Sequence, residues 1–144
     1  MEKRLFQAAA FWTAFGLFGG VFYREFTKYN GFDTVDNFTQ LGVVHTHTLI
    51  LGTVFLLITL ILERVFSLSA ANPKTARAFF ITWNVGLAIS TGMMLIKGVL
   101  QVLGSAVANH AAIAGISGLG HVTLTVAFVL LFNTLAKALK KSER

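Results

Sequence analysis

The chain has 144 residues, of which 55% are hydrophobic and 12% charged, with one proline, no cysteine and fourteen phenylalanines. Its mean hydropathy of +0.70 and sparse charge set it apart from soluble domains, in which about 25% of residues are charged. These counts exclude a disulfide scaffold, a Cys-ligated zinc or iron–sulfur site, a thiol enzyme and a disordered tail. They leave an all-α integral membrane protein.

Four long, weakly charged runs follow one another at residues 5–23, 41–62, 78–96 and 111–136. Each is close to the length that crosses a hydrocarbon core of about 30 Å. With their flanks they predict helices over about 3–28, 38–66, 73–103 and 110–140, packed as a four-helix bundle in one domain covering 1–144. The first run is Phe-rich and is followed by Val21-Phe22-Tyr23-Arg24-Glu25, which is no small-x-small cleavage site, so it reads as a helix rather than a signal peptide. Tyr29-Asn30-Gly31-Phe32-Asp33 is a polar turn, after which Asp36 or Asn37 is expected to cap the second helix. Asn72-Pro73 reads as an N-cap with proline at the first helical position. Gly104-Ser105 ends the third helix, and Asn109 is expected to cap the fourth.

The net charge is +6, and its distribution explains it. Lys3, Arg4, Arg64, Lys74, Arg77, Lys137, Lys140, Lys141 and Arg144 fall on one side of the spans, against Arg24, Lys28 and Lys97 on the other. The positive-inside rule then predicts both termini in the cytoplasm. The basic excess is a topology signal, so the expected partner is the lipid bilayer and no nucleic acid.

Ionisable side chains inside a span are costly, which makes the histidines the first candidates for function. His45 and His47 lie in the second helix, His121 in the fourth and His110 at the outer start of the fourth. Glu63 follows His47 by 16 residues and Lys137 follows His121 by 16. Both rings are therefore expected about 24 Å above the cytoplasmic charge belt. The same step from Arg77 reaches Met93, and from Arg4 it reaches Gly20. One layer would then hold Gly20, His47, Met93 and His121. Two imidazoles at one depth on separate helices suit a transition metal or a haem iron.

A haem also needs a flat slot. Ala114, Ser117, Gly118 and Thr125 share the face of His121, while Gly42, Thr48 and Gly52 share that of His45. Gly16, Gly19 and Gly20 on the first helix and Gly86, Gly92 and Gly98 on the third offer more room. Propionates favour cations, and Arg24, Lys28 and Lys97 are the basic residues on the outer side, with Lys97 one turn above Met93 on its face. His45 and His47 diverge by about 200° on a helix. Depth favours His47 as the partner of His121 and space favours His45. Their opposed faces also allow two centres, or a homodimer.

The run Gly42-Val43-Val44-His45-Thr46-His47-Thr48-Leu49-Ile50-Leu51-Gly52, with Ser117-Gly118-Leu119-Gly120-His121, resembles a family of small bacterial four-helix membrane proteins of unknown function. The similarity spans most of the chain and implies a multi-pass protein of the bacterial inner membrane. Over a short motif, His45-Thr46-His47 also resembles subunit I of haem–copper oxidases and the related nitric oxide reductases, where the two histidines of such a pair ligate two different haems. The chain departs from that pattern in having four helices rather than twelve and no three further histidines for copper. The resemblances thus imply haem binding, which the histidine spacing permits.

The expected function is that of a membrane protein binding haem b between the second and fourth helices, without the Cys-x-x-Cys-His of covalent attachment. Its cofactor-binding residues are expected among His45, His47, His121, Gly42, Gly118, Met93, Arg24 and Lys97, with His45, His47 and His121 as metal ligands. Two axial histidines suit electron transfer, with a quinone or other redox partner; one suits gas binding or haem handling. The alternative is a carrier or binder of copper or zinc using the same histidines with Met93 and His110. Plainer readings stand beside these: His110 as a helix-end residue, Met93 and Met94 as packing, Asn84 and Gln101 as polar contacts between helices, the glycines as close helix crossings, and a helper subunit whose histidines only hydrogen-bond.

Overall fold

The computed structural model describes residues 1–142; Arg144, counted above with the basic residues, lies outside them. In chain order the elements are α1 (Glu2–Tyr29), α2 (Leu41–His47), a π-helical segment (Thr48–Val54), α3 (Phe55–Phe66), α4 (Leu68–Ala71), α5 (Pro73–Val102), a 3₁₀ turn (Ala106–Asn109) and α6 (Ala111–Ser142). No strand occurs among the described residues. The segments α2, π and α3 run on as one span, Leu41–Phe66, and four helices in all are long and apolar enough to cross a membrane. Their outward faces carry Phe6, Phe18, Ile61, Val122 and Phe132. That exterior would aggregate in water and is at home in acyl chains.

The caps follow local chemistry, with two corrections. Asn72 Oδ1 accepts from the Thr75 N–H at 3.5 Å, with Pro73 next in the chain, as expected of this pair. Neither Asp36 nor Asn37 caps the second span. It begins at Leu41 because Thr39 Oγ1 donates to the Gly98 carbonyl (3.0 Å) and the Gln40 N–H to Gln101 Oε1 (2.8 Å), tying the entry to the end of α5. Asn109 falls in the 3₁₀ turn, and His110 Nδ1 instead accepts from the Ala112 N–H at 3.3 Å, at the start of α6. The short α4 was not anticipated. It follows a reversal at Ser67, whose φ of 51° is left-handed, and it is held by Glu63, which accepts from the Ser69 N–H at 2.9 Å and from the Ser69 hydroxyl.

Sequential helices pack as antiparallel neighbours. α1 lies along the second span and α5 along α6, while α1 and α6 do not meet. The Met1 amine sits 3.7 Å from Glu63, and Lys141 shares a surface pocket with Ala70 and Ala71. Both described chain ends therefore lie at the α4 end of the bundle.

Trp83 occupies the centre. It is fully buried, stacks on Phe55 with ring centroids 3.9 Å apart, and presents an edge-to-face contact to Phe128 at 4.9 Å. Its Nε1–H donates to the Leu51 carbonyl at 3.1 Å, within the π segment. A π turn pairs each carbonyl five residues along and widens the helix, and the indole N–H meets it where no water is at hand. On the far side of the same segment, Gly52 lies so close to Trp12 of α1 that a Cβ there would overlap the indole ring. Trp12 Nε1–H in turn donates to Asn84 Oδ1 at 2.9 Å.

Over-filling a tight contact of this kind costs about 1–3 kcal/mol. Gly52→Ala should therefore lower the thermal midpoint in detergent, whereas Gly92→Ala, with no atom within 4 Å of the added carbon, should leave it unchanged or raise it. Equal midpoints for the two variants would contradict this account of the crossing.

Candidate functional site

The second span meets α6 through α3, but α2 makes no contact with it. Above the π segment the two helices part, and α5 forms the floor between them. The resulting cleft, of about 320 Å³, is lined by Gln40, Val43 and His47 from the second span, by Ser90, Met93, Met94 and Lys97 from α5, and by Ala114, Ser117 and His121 from α6. Of the expected layer, His47, Met93 and His121 share this cleft. Gly20 does not reach it: a Cβ there would lie 3.7 Å from the side chain of His45.

The two cleft histidines are held alike. His47 Nδ1 is 2.8 Å from the Val43 carbonyl and His121 Nδ1 is 3.0 Å from the Ser117 carbonyl, each four residues back on its own helix. A carbonyl only accepts, so in both rings a proton belongs on Nδ1, and in the neutral ring the lone pair is then on Nε2. This is the arrangement of a neutral imidazole ligand, whose second nitrogen is anchored to a backbone oxygen while the first faces the metal. His47 is half-buried, and His121 is exposed at the open side of the cleft.

The remaining residues divide clearly. Lys97 lines the cleft and is half-buried. Gly118, one turn before His121, has open space around it. His45 turns the other way, towards α1; its Nδ1 is buried and has no partner among the described residues. A Cβ at Gly42 would lie 3.5 Å from the Tyr23 ring. Arg24 is exposed, 3.6 Å from Glu25, on a separate hollow with Tyr23 and Lys28. The small residues around His45 thus accommodate α1, a close helix crossing of the small-xxx-small kind. His110 is exposed at the helix end. Among the described residues no three His, Cys, Asp or Glu side chains converge on one point.

Ser90 was overlooked in the sequence. It is 2% exposed, lines the cleft, and its Oγ has no hydrogen-bond partner among the described residues. The neighbouring Thr91 hydroxyl, by contrast, donates to the Leu87 carbonyl at 2.8 Å. The signal lay in periodicity: Ser90, Met93, Met94 and Lys97 follow the i, i+3, i+4, i+7 pattern of one helix face, which Lys97 marks.

The fold and cleft define a four-span helical membrane protein with two histidines across one lateral opening. The chain belongs to the family described as protein of unknown function (DUF2871), whose model matches residues 1–138. No curated protein and no solved structure matches it.

The hydrogen bonds specify a tautomer that can be observed. In the ligand-free protein, ¹⁵N NMR of labelled histidine should show His47 and His121 protonated at Nδ1 and bare at Nε2. Protonation of both rings at Nε2 would remove the backbone anchoring described here.

Proposed function

We propose that the cleft binds a b-type haem, whose iron Nε2 of His47 and Nε2 of His121 would hold. The observation that carries this reading is the pair of rings across a gap where α2 and α6 do not touch, each with Nδ1 tied to its own helix. Three further features fit the group. The partnerless Ser90 hydroxyl is a buried polar atom facing a site that needs an occupant. Lys97 supplies a cation for a propionate at the outer rim. An imidazole exposed within a span, like that of His121, is costly without a ligand to cover it. The cleft is at the small end of cofactor sites, and its open side leaves room for the rim of a macrocycle beyond the helices.

When bound, haem b would supply reversible one-electron transfer at the iron. The chain's own part is to hold two neutral imidazoles at fixed tautomer, to keep the site dry with Met93, Met94 and Val43, and to balance propionate charge through Lys97. Two histidine ligands favour electron transfer over gas binding, with a membrane quinone or a redox protein as partner. The excess of basic residues at the α4 end supports a reading with the chain ends in the cytoplasm, in a bacterial inner membrane, and the cleft in the outer half of the bilayer.

A copper-binding role is the second reading, and Met93 and Met94 favour it. Two thioethers beside two imidazoles form a soft set suited to Cu(I). Lys97 weighs against it, because a fixed cation in the same cleft opposes a bare metal ion and attracts carboxylates.

Optical spectra of protein purified from haem-replete cells separate the two. The expected result is a Soret band with a reduced b-type α band, lost in His47→Ala and in His121→Ala and retained in His45→Ala. A colourless protein with one copper per chain would overturn the haem reading. Loss of the bands in His45→Ala with retention in His47→Ala would reverse the ligand choice.

A further inference from the structure

At the end of the bundle that holds α4, α1 and α5 border an open hollow of about 670 Å³. Lys3, Arg4 and Gln7 from the first turns of α1 face it, as do Arg77 and Phe80 from the start of α5 and Ser69 from α4. A topology signal requires basic residues near a span but gives them no reason to converge on one hollow. Lys3, Arg4 and Arg77 do converge, and among the described residues they do so without counter-ions. Among the described residues, Glu2 pairs with Arg64 at 3.0 Å, Glu25 with Arg24 and Glu63 with the Met1 amine, and Lys3, Arg4 and Arg77 pair with no acid. Glu63 is 6% exposed, and Ser69 occupies its carboxylate through the backbone N–H and the hydroxyl. Asp33 and Asp36 belong to the loop at the opposite end.

Lys3, Arg4 and Arg77 are exposed side chains around one hollow, so an anion seated there is attracted by all three. The two arginines offer flat forks suited to phosphate oxygens. Gln7 adds an amide, and Phe80 supplies an apolar wall on the side of the span. The hollow also lies at the belt where the apolar windows of α1 and α5 begin, so it is polar towards water and apolar towards the bilayer. α1 and α5 meet only slightly along their length, leaving a seam from the hollow into the hydrocarbon. We propose that this cavity is a binding site for the phosphate head group of an anionic phospholipid, with Arg4 and Arg77 on the phosphate, Lys3 at its outer edge and the acyl chains along the seam between α1 and α5. The site is remote from the histidine cleft and stands whether or not that cleft holds haem.

The test is an equilibrium titration of the full chain in uncharged detergent with fluorescent phosphatidylglycerol, and with phosphatidylcholine of the same chains. Saturable binding of one phosphatidylglycerol per chain is expected, at least ten times tighter than phosphatidylcholine. At about 1 kcal/mol, or about 5-fold, per basic residue near a charged lipid, Arg4→Gln/Arg77→Gln should weaken it about 25-fold. Lys140→Gln/Lys141→Gln removes the same charge from the same end and should change it less than 2-fold. Equal binding of the two lipids, or equal losses in the two double variants, would reduce the site to diffuse attraction and overturn the proposal. Displacement of the lipid by equimolar inorganic phosphate would reassign the cavity to a soluble anion and overturn it as well. If the double variant fails to fold, Arg77→Gln alone carries the same comparison at about 5-fold.

Discussion

The bond from the Trp83 indole to the Leu51 carbonyl joins the middle of α5 to the π segment of the second span, and the architecture above and below depends on that junction. Below it, α3 packs on α6 and the aromatic cluster of Phe55, Trp83 and Phe128 closes the core. Above it, α2 leans on α1 and α5 and leaves α6 apart. A regular α-helix through residues 48–54 would carry the lower packing upward, because 3.6-residue periodicity keeps one face on one neighbour. The wider π turn breaks that continuity. The cleft is a product of the break.

Inside a bilayer a polar group has no water to fall back on. The hydroxyls of Thr13, Thr48, Thr59, Thr91 and Thr134 accordingly donate to the carbonyl four residues before them, and Trp12 finds Asn84 across the α1–α5 contact. Against that background two groups stand out. Ser90 Oγ and His45 Nδ1 are buried without partners among the described residues. One is in the floor of the cleft; the other is two residues from His47, at the face where α1 crosses.

The two ends of the bundle carry different chemistry. The histidine cleft pairs two imidazoles with two thioethers and a single lysine at its edge. The α4 end gathers arginine and lysine around a hollow lined by Ser69, which donates to Glu63. The basic residues at the α4 end are thus not equivalent. Arg64 is bound to Glu2, while Arg4 and Arg77 face a shared cavity.

Much of this was legible in the chain alone. Composition and run length determine four membrane-crossing helices, because each span's burial in lipid depends on its own residues. Asn72-Pro73 determines where α5 starts, since a cap is a local hydrogen bond. Rise per residue placed His47, Met93 and His121 at one depth, because distance along a helix axis depends only on counting. The choice between His45 and His47 needed the tertiary structure. The glycines near His45 looked like space for a ligand, yet they lie on the α1 crossing: a Cβ at Gly52 would overlap Trp12, and one at Gly20 or Gly42 would touch His45 or Tyr23. Which face of a helix meets which neighbour depends on contacts far apart in sequence, and here on a π turn with no local signature. The same holds for the convergence of Lys3, Arg4 and Arg77, whose common hollow exists only once α1 and α5 lie side by side.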